Sequence, residues 1–325
     1  MHCSIVRGLQ CAFGALVLAT AALGAAAQTY PSRDITLIVP YLPGGSTDPI
    51  ARAYGAGLAK LLPATVNIEN KPGGAATLGV SAVVRAKPDG YTIGLGTYSA
   101  LAYQPLVNTK LPYKDAGDYE SIVKLVQLPA VLSVQADAPW KTFEEFIEDA
   151  RRRPGKIRVS VSGRRESSDL AVQQLNKAAN IRLVSVPFTG GGGESLVALL
   201  GGRVEATVGF GPGALGHVQA GRIRPLAVFM KGQYPLFPDA TSVVDAGYDA
   251  SLQAVYNIIA PKGLLGPVRE KLVAASLATA RSDEFRDFAV AHGYLVDIKG
   301  PEDMKAELNF YQEKFADLLK FLEAK

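Results

Sequence analysis

The run IVKLVQLPAVLSVQ, residues 122–135, is apolar, rich in β-branched side chains and long for a single β-strand, with Pro129 in its middle. A strand shared by two lobes of a protein would have this character. At this strand the chain would cross from the first lobe to the second. It is expected to cross back near AVYNIIAP, residues 254–261, after which the C-terminal helical segments return to the first lobe. Two crossings predict a hinged pair of lobes with a cleft between them. Residues 28–130 plus 255–325 would form lobe 1, and residues 131–254 would form lobe 2.

Short β-rich runs alternate with helical patterns along the rest of the chain. Apolar residues between Ile50 and Leu62 recur at spacings of three and four, which predicts an amphipathic helix that Pro63 ends. The capping box of residues 142–145 predicts another helix start. The alternation predicts an α/β fold in which each lobe has a mostly parallel sheet flanked by helices. The β-rich runs are TLIVP, VNIEN, YTIGLG, IRVSVS, LVSVPF, VEATVGF and PLAVF.

The first 27 residues have the pattern of a secretory signal peptide, because Arg7 is followed by an apolar stretch and by three alanines before Gln28. Cys3 and Cys11 are the two cysteines of the chain and both lie in this segment. The exported protein would therefore hold no disulfide, no catalytic thiol and no cysteine-based metal site. Export without disulfides favours a bacterial periplasm. The formal net charge of +4 is low and predicts no nucleic-acid partner.

The loop YLPGGSTDPIAR, residues 41–52, follows an apolar run and leads into the first helical pattern. Gly44 and Gly45 permit close backbone approach, residues 46–48 are all helix N-cap types, and Pro49 suits a first turn. Free N–H groups at such a helix start attract an anion. A phosphate loop is excluded because no lysine follows the glycines. A plain capped turn between strand and helix remains the alternative.

Two later loops have a related composition. IRVSVS runs into GRRESSDLAVQQL, so residues 167–169 stand at a helix start as residues 46–48 do, although chance similarity of two caps stays open. Arg164 and Arg165 could bind a carboxylate or could be solvated. The loop PFTGGGGESLVALLGG, residues 187–202, also exposes backbone N–H groups unless it is only a flexible turn.

Catalytic and metal-binding patterns are weak. After removal of the signal peptide His217 and His292 are the remaining histidines, isolated from each other and from any recognisable triad. Residues 211–216 match a dinucleotide-binding glycine pattern, but Pro212 lies inside it and no acidic residue ends a following strand at the required spacing. We predict no catalytic residue, no metal site, no cofactor and no enzymatic activity.

Eight segments together resemble the substrate-binding proteins of tripartite tricarboxylate transporters, the Bug family. The resemblance implies a two-lobed, type II-like periplasmic binding fold that holds a small carboxylate in its cleft. This carboxylate would be a di- or tricarboxylate, an acidic amino acid or an aromatic acid. The protein, expected to be a monomer, would deliver it to a membrane transporter. The segments are YPSRDITLIVPYLPGGSTDPIAR, IENKPGGAATLG, AKPDGYTIGLGT, LPYKDAGDYESI, PFTGGGGESLVALLGGRVEATV, HVQAGRIRPLAV, FPDATSVVDAGY and IIAPKGLLGPV.

Two other functions stay open. The same fold could present its ligand to a membrane sensor, or the chain could be an exported enzyme that acts on small anions. The missing pair of nucleophile and base counts against the enzyme.

The resemblance also implies which residues contact the ligand. The chain departs from the family pattern at residues 164–166, at Asp169 in place of a histidine, at Tyr98 in place of a smaller residue and at Thr189 in place of a frequent lysine. The ligand therefore cannot be taken from a relative. Including Arg164 for its charge, the expected ligand contacts are Tyr41, Pro43, Gly44, Gly45, Ser46, Asp48, Thr97, Ser162, Arg164, Ser167, Thr189, Gly190 and Gly191.

Overall fold

The computed structural model describes residues 30–43, 45–188 and 192–323, in which strands and helices alternate. The expected signal peptide lies outside the described residues. The strands are β1 Ile35–Val39, β2 Val66–Asn70, β3 Thr92–Gly96, β4 Tyr119–Gln135, β5 Arg158–Val161, β6 Val184–Pro187, β7 Ala206–Phe210, β8 Ile223–Val228, β9 Thr241–Ser242, β10 Gln253–Pro261 and β11 Leu295–Lys299.

The helices pack on these strands, and a π-helical turn, Ser99–Tyr103, precedes the shortest of them. No helix of the described ranges combines the length and apolar character that a membrane span requires. The helices are α1 Thr47–Leu61, α2 Thr77–Val84, α3 Gln104–Val107, α4 Phe143–Arg152, α5 Ser167–Ala179, α6 Gly192–Leu200, α7 Gly211–Gln219, α8 Gly266–Arg281, α9 Asp283–Ala291 and α10 Pro301–Glu323.

The long strand β4 belongs to both lobes. Its first part pairs with β10 and β11, and its second part, from Ala130 onward, pairs with β7 and β8. Pro129 lies where the partners change, a position at which a missing N–H disturbs the ladder least. The prediction that the run 122–135 is one strand shared by two lobes is confirmed.

Each lobe combines parallel and antiparallel pairs. In lobe 1, β1 lies between β2 and β3 in parallel, and in lobe 2, β5 lies between β6 and β7 in parallel. The chain enters lobe 2 through β4 and returns through β10, so these two neighbours run antiparallel. The α/β, two-lobed fold class is confirmed. The expectation of a mostly parallel sheet does not hold for the described strands of lobe 1, because β10 and β11 add antiparallel pairs with β3 and β4.

The return crossing comes just before β10. The amide of Ala130 donates to the Leu252 carbonyl at 3.2 Å, and the Leu252 amide donates to the Phe229 carbonyl at 3.2 Å. From Gln253 onward the chain pairs with β4 and β3 of lobe 1. The exact lobe boundaries remain a proposal.

The last helix, α10, contacts both lobes. Phe315 packs edge-on against Tyr103 of the π-helical turn, with ring centroids 5.7 Å apart. Near its end, Phe321 lies under the ammonium group of Lys177 of α5, which is 5.8 Å from the ring centroid. The C-terminal segment therefore does not return to lobe 1 alone, because α10 also touches a helix of lobe 2.

Candidate functional site

The carboxyl ends of β1 and β3 bring Tyr41 and Thr97 together, as expected for neighbouring parallel strands. The Tyr41 hydroxyl lies 3.2 Å from Thr97 Oγ1, which lies 3.1 Å from Ser99 Oγ. Pro43 and Gly45 are exposed beside this hydroxyl chain, and Gly44 falls outside the described residues. The lobe 1 edge therefore offers several hydroxyl groups that can donate to an anion.

The first turn of α1 is tied to β10 rather than capped by its own side chains. Ser46 occupies the N-cap position but makes no side-chain capping bond. Its Oγ lies 3.1 Å from the hydroxyl of Tyr256, to which Thr47 Oγ1 also donates at 3.3 Å. Tyr294 donates a hydrogen bond to the Ser46 carbonyl. The backbone N–H groups at this helix start are thus not used by a Ser46 cap.

Asp48 is buried and accepts hydrogen bonds from Arg52 and Asn70. Arg52 donates to both of its carboxylate oxygens, at 2.8 and 3.2 Å, and Asn70 Nδ2 donates at 3.0 Å. The same Asn70 amide donates to the Tyr41 carbonyl at 2.9 Å. In the structure Asp48 therefore supports the Tyr41 loop, while its contact with a ligand stays a prediction.

The helix start in lobe 2 is organised differently. Helix α5 begins at Ser167, and the residue before it, at the N-cap position, is Glu166 rather than a hydroxyl residue. Ser168 Oγ accepts the amide of Ser162 at 2.9 Å. Asp169 Oδ2 accepts a hydrogen bond from the backbone amide of Arg165 at 2.7 Å. This bond holds Arg165 in the left-handed region, with a φ of 61°. Residues 167–169 stand at a helix start as expected, but one position further into the helix than residues 46–48, and Ser168 and Asp169 bind the preceding loop.

The carboxyl group of Glu166 lies close enough to Tyr41 and Tyr256 for its charge to act on both. Ser162 Oγ donates to it at 3.4 Å, and the side chain folds against Gly163, where an added Cβ would lie 2.7 Å from Glu166 Cδ. Burial raises the pKa of Glu166 to about 7, the hydrogen bond from Ser162 lowers it, and the charge of Asp169 raises it further. Burial raises the pKa of Tyr41 and Tyr256, and the Glu166 charge adds to both shifts.

Glu166 is not among the expected ligand contacts. Its position directly before the helix that begins at Ser167 is the sequence feature that could have indicated a place at the cleft. Arg164 and Arg165, by contrast, have exposed side chains. Gln104 Nε2 donates to the Arg165 carbonyl at 3.1 Å and so joins the two sides of the cleft. Ser162 and Ser167 lie at the α5 start as expected, while Thr189, Gly190 and Gly191 lie outside the described residues.

Of the three glycines in the pattern at residues 211–216, Gly211 has a packing explanation. A Cβ at Gly211 would lie 2.5 Å from the Tyr234 hydroxyl, whereas Gly213 and Gly216 have open surroundings. His292 stacks on Phe288, with centroids 4.0 Å apart. Within the part of the chain that the structure describes, no group of three His, Cys, Asp or Glu residues could hold a metal ion.

Known proteins are similar to this chain in fold and in sequence. The family model described as tripartite tricarboxylate transporter family receptor matches residues 50–315. A UPF0065 protein of Bordetella pertussis is 31% identical over 279 residues, covering 86% of each chain. The periplasmic binding protein BugD has a TM-score of 0.81 at 27% identity, over 90% of this chain and 98% of BugD. MatC from Rhodopseudomonas palustris, solved with bound malate, has a TM-score of 0.80 at 26% identity, over 89% and 99%.

Proposed function

Because the chain belongs to the tripartite tricarboxylate transporter receptor family, we propose that it is a periplasmic receptor that captures a small carboxylate and delivers it to a membrane transporter. The observation that carries the proposal is the position of two helix starts, those of α1 and α5, on opposite sides of the junction between the lobes. The related MatC was solved with bound malate, which supports a carboxylate as the ligand class. The proposal assigns the protein no catalytic activity.

The binding energy requires several donors acting together. A micromolar affinity corresponds to about 8 kcal/mol, whereas one helix start contributes at most about 1 kcal/mol at an exposed site. The hydroxyls of Tyr41, Ser46, Thr97 and Ser162 can supply further hydrogen bonds, as can free amides of the two helix starts. A small carboxylate would therefore bind most tightly when both lobes contact it.

Closure of the lobes is proposed to bend the two connections between them. These are β4 around Pro129 and the segment that precedes Gln253. Closure removes the ligand from water, which strengthens each hydrogen bond, and it creates a surface that a transporter can distinguish from the open form. In this proposal lobe 1 comprises residues 28–130 plus 255–325 and lobe 2 comprises residues 131–254.

The proposal is tested by thermal melting and small-angle X-ray scattering of the exported protein with a panel of mono-, di- and tricarboxylates, each beside its neutral amide. A binding carboxylate should raise the melting temperature and lower the radius of gyration, while its amide should do neither, because the amide carries no negative charge. If no carboxylate in a broad panel changes either quantity, the protein is not a carboxylate receptor.

A further inference from the structure

Glu166 places a negative charge in a cleft that is expected to bind an anion. Its carboxylate has the Ser162 hydroxyl as a donor at 3.4 Å and lies against Gly163. In residues 30–43, 45–188 and 192–323, no lysine or arginine forms an ion pair with Glu166. A partly buried carboxylate without a cation is unfavourable, so this position needs a partner from outside the chain or a bound proton.

The groups around Glu166 do not supply that cation. On its own helix, Asp169 adds a second negative charge that raises the pKa of Glu166. Across the cleft, Tyr41 and Tyr256 present neutral hydroxyls, because burial raises the pKa of both. Arg164 and Arg165 precede it on the same loop, but their side chains are exposed. In the described part of the chain, no cation is therefore paired with the Glu166 carboxylate, and the lobe 1 tyrosines opposite it are neutral.

The helix start in lobe 1 differs in this respect. Its buried carboxylate, Asp48, is compensated by the guanidinium group of Arg52. Its hydroxyls and helix N-terminus remain able to receive a carboxylate. A ligand that spans the cleft would thus meet an anion site on one side and an uncompensated carboxylate on the other.

We propose that Glu166 selects the ligand by receiving a positively charged nitrogen, so that the protein binds a carboxylate that also carries an ammonium group. The ligand carboxylate lies at the α1 start and its ammonium group faces Glu166. This inference rests on the proposed carboxylate receptor function and narrows its ligand class. Malate, which the related MatC binds, has no such nitrogen.

The test compares ligands that differ only in the ammonium group. Isothermal titration at pH 8 with aspartate beside succinate, glutamate beside glutarate and β-alanine beside propionate measures the preference for the amino member of each pair. In the pair that binds best, the protein should bind the amino member at least tenfold more tightly than the member without the ammonium group. Glu166→Gln should reduce that ratio to less than threefold. Glu144→Gln, on the exposed face of α4, should leave the ratio unchanged.

A pH series sharpens the same test. Glu166 gains a proton as the pH falls through about 7, while the ammonium group of the ligand stays charged. The amino ligand should therefore bind more weakly at pH 6 than at pH 8, and the Glu166→Gln protein should show a much smaller change. Melting curves of both proteins verify that the variant is folded.

Three results would contradict the inference. An equal affinity ratio within each ligand pair in the native protein and in Glu166→Gln would show that Glu166 does not bind the ammonium group. Succinate or glutarate could bind more tightly than its amino partner, with an affinity that rises below pH 7. That result would mean that protonated Glu166 donates a hydrogen bond to a second carboxylate. Both results leave the carboxylate receptor intact. Absence of binding by every member of every pair would contradict the inference alone, because the receptor function is decided by the broader carboxylate panel of the melting experiment.

Discussion

The two helix starts at the cleft look alike in sequence and differ in charge. Each follows a strand and a short loop, and each places a buried aspartate in the first turn, Asp48 in α1 and Asp169 in α5. Asp48 pairs with Arg52, whereas Asp169 accepts the amide of Arg165 and leaves Glu166 without a cation. Similar capping sequences can therefore present one compensated and one uncompensated carboxylate to the same ligand.

The two loops also differ in what packs behind them. Gly79 of α2 would place an added Cβ 2.7 Å from Pro40 Cβ and 2.9 Å from both Pro40 Cα and the Lys71 carbonyl oxygen. Pro40 directly precedes the Tyr41 loop. In lobe 2, the equivalent contact of Gly163 is with the far end of the Glu166 side chain, at 2.7 Å. Backbone contact fixes the first loop, and a movable side chain lies under the second.

The largest effect is expected for Gly79→Ala. The new methyl group clashes with backbone atoms that cannot move away cheaply, so the free energy of unfolding should fall by about 3 kcal/mol. Denaturant titration measures this loss. Gly213→Ala, also in a helix but with open surroundings, should cost nothing or stabilise by up to about 1 kcal/mol.

Gly163→Ala is the matched variant in lobe 2. Its methyl group should displace the Glu166 side chain and leave the free energy of unfolding nearly unchanged. A loss as large as that of Gly79→Ala would contradict the difference between a backbone contact and a side-chain contact.

The second effect is a pH-dependent gain of stability in Glu166→Gln. The pKa of Glu166 is raised from 4.5 to about 7, so the folded native protein binds this proton more tightly and loses stability as the pH rises from about 4.5 to 7. Above pH 7 the variant lacks the charge and should be more stable by about 2 kcal/mol, allowing for partial solvation. Melting temperatures should differ at pH 8 and converge at pH 4. A constant difference at both pH values would contradict the raised pKa.

Local pattern predicted the first loop better than the second. The shared strand follows from the length and apolar character of the run 122–135. Tyr41 and Thr97, which the family resemblance names, lie together because parallel strands end at a common edge. The role of Glu166 depends on its fold over Gly163 and on tyrosines contributed by β10 and by the end of β1. Contacts between residues so far apart in sequence leave no local spacing from which to predict them.

A third, smaller effect concerns the hydroxyl contacts of the α1 start. Tyr256→Phe removes the group that Ser46 and Thr47 contact, at 3.1 and 3.3 Å, and should lower the free energy of unfolding by about 1 kcal/mol. Tyr119→Phe is the matched control, since its buried hydroxyl has no hydrogen-bond partner in the described part of the chain. Denaturant titration should show the loss for Tyr256 alone. Equal losses in the two variants would mean that the α1 contacts do not stabilise the loop.

The smallest effect is expected for replacement of both Arg164 and Arg165 by alanine. The sequence predicts Arg164 as a ligand contact. Both arginine side chains are exposed, which limits the contribution that either is expected to make to ligand affinity. Water and salt screen the charge of an exposed side chain, so the affinity for the ligand should fall by less than about threefold, or roughly 0.6 kcal/mol, and by less still at high salt. Titration with the best ligand at two salt concentrations measures this. A tenfold loss that persists at high salt would place an arginine in direct contact with the ligand.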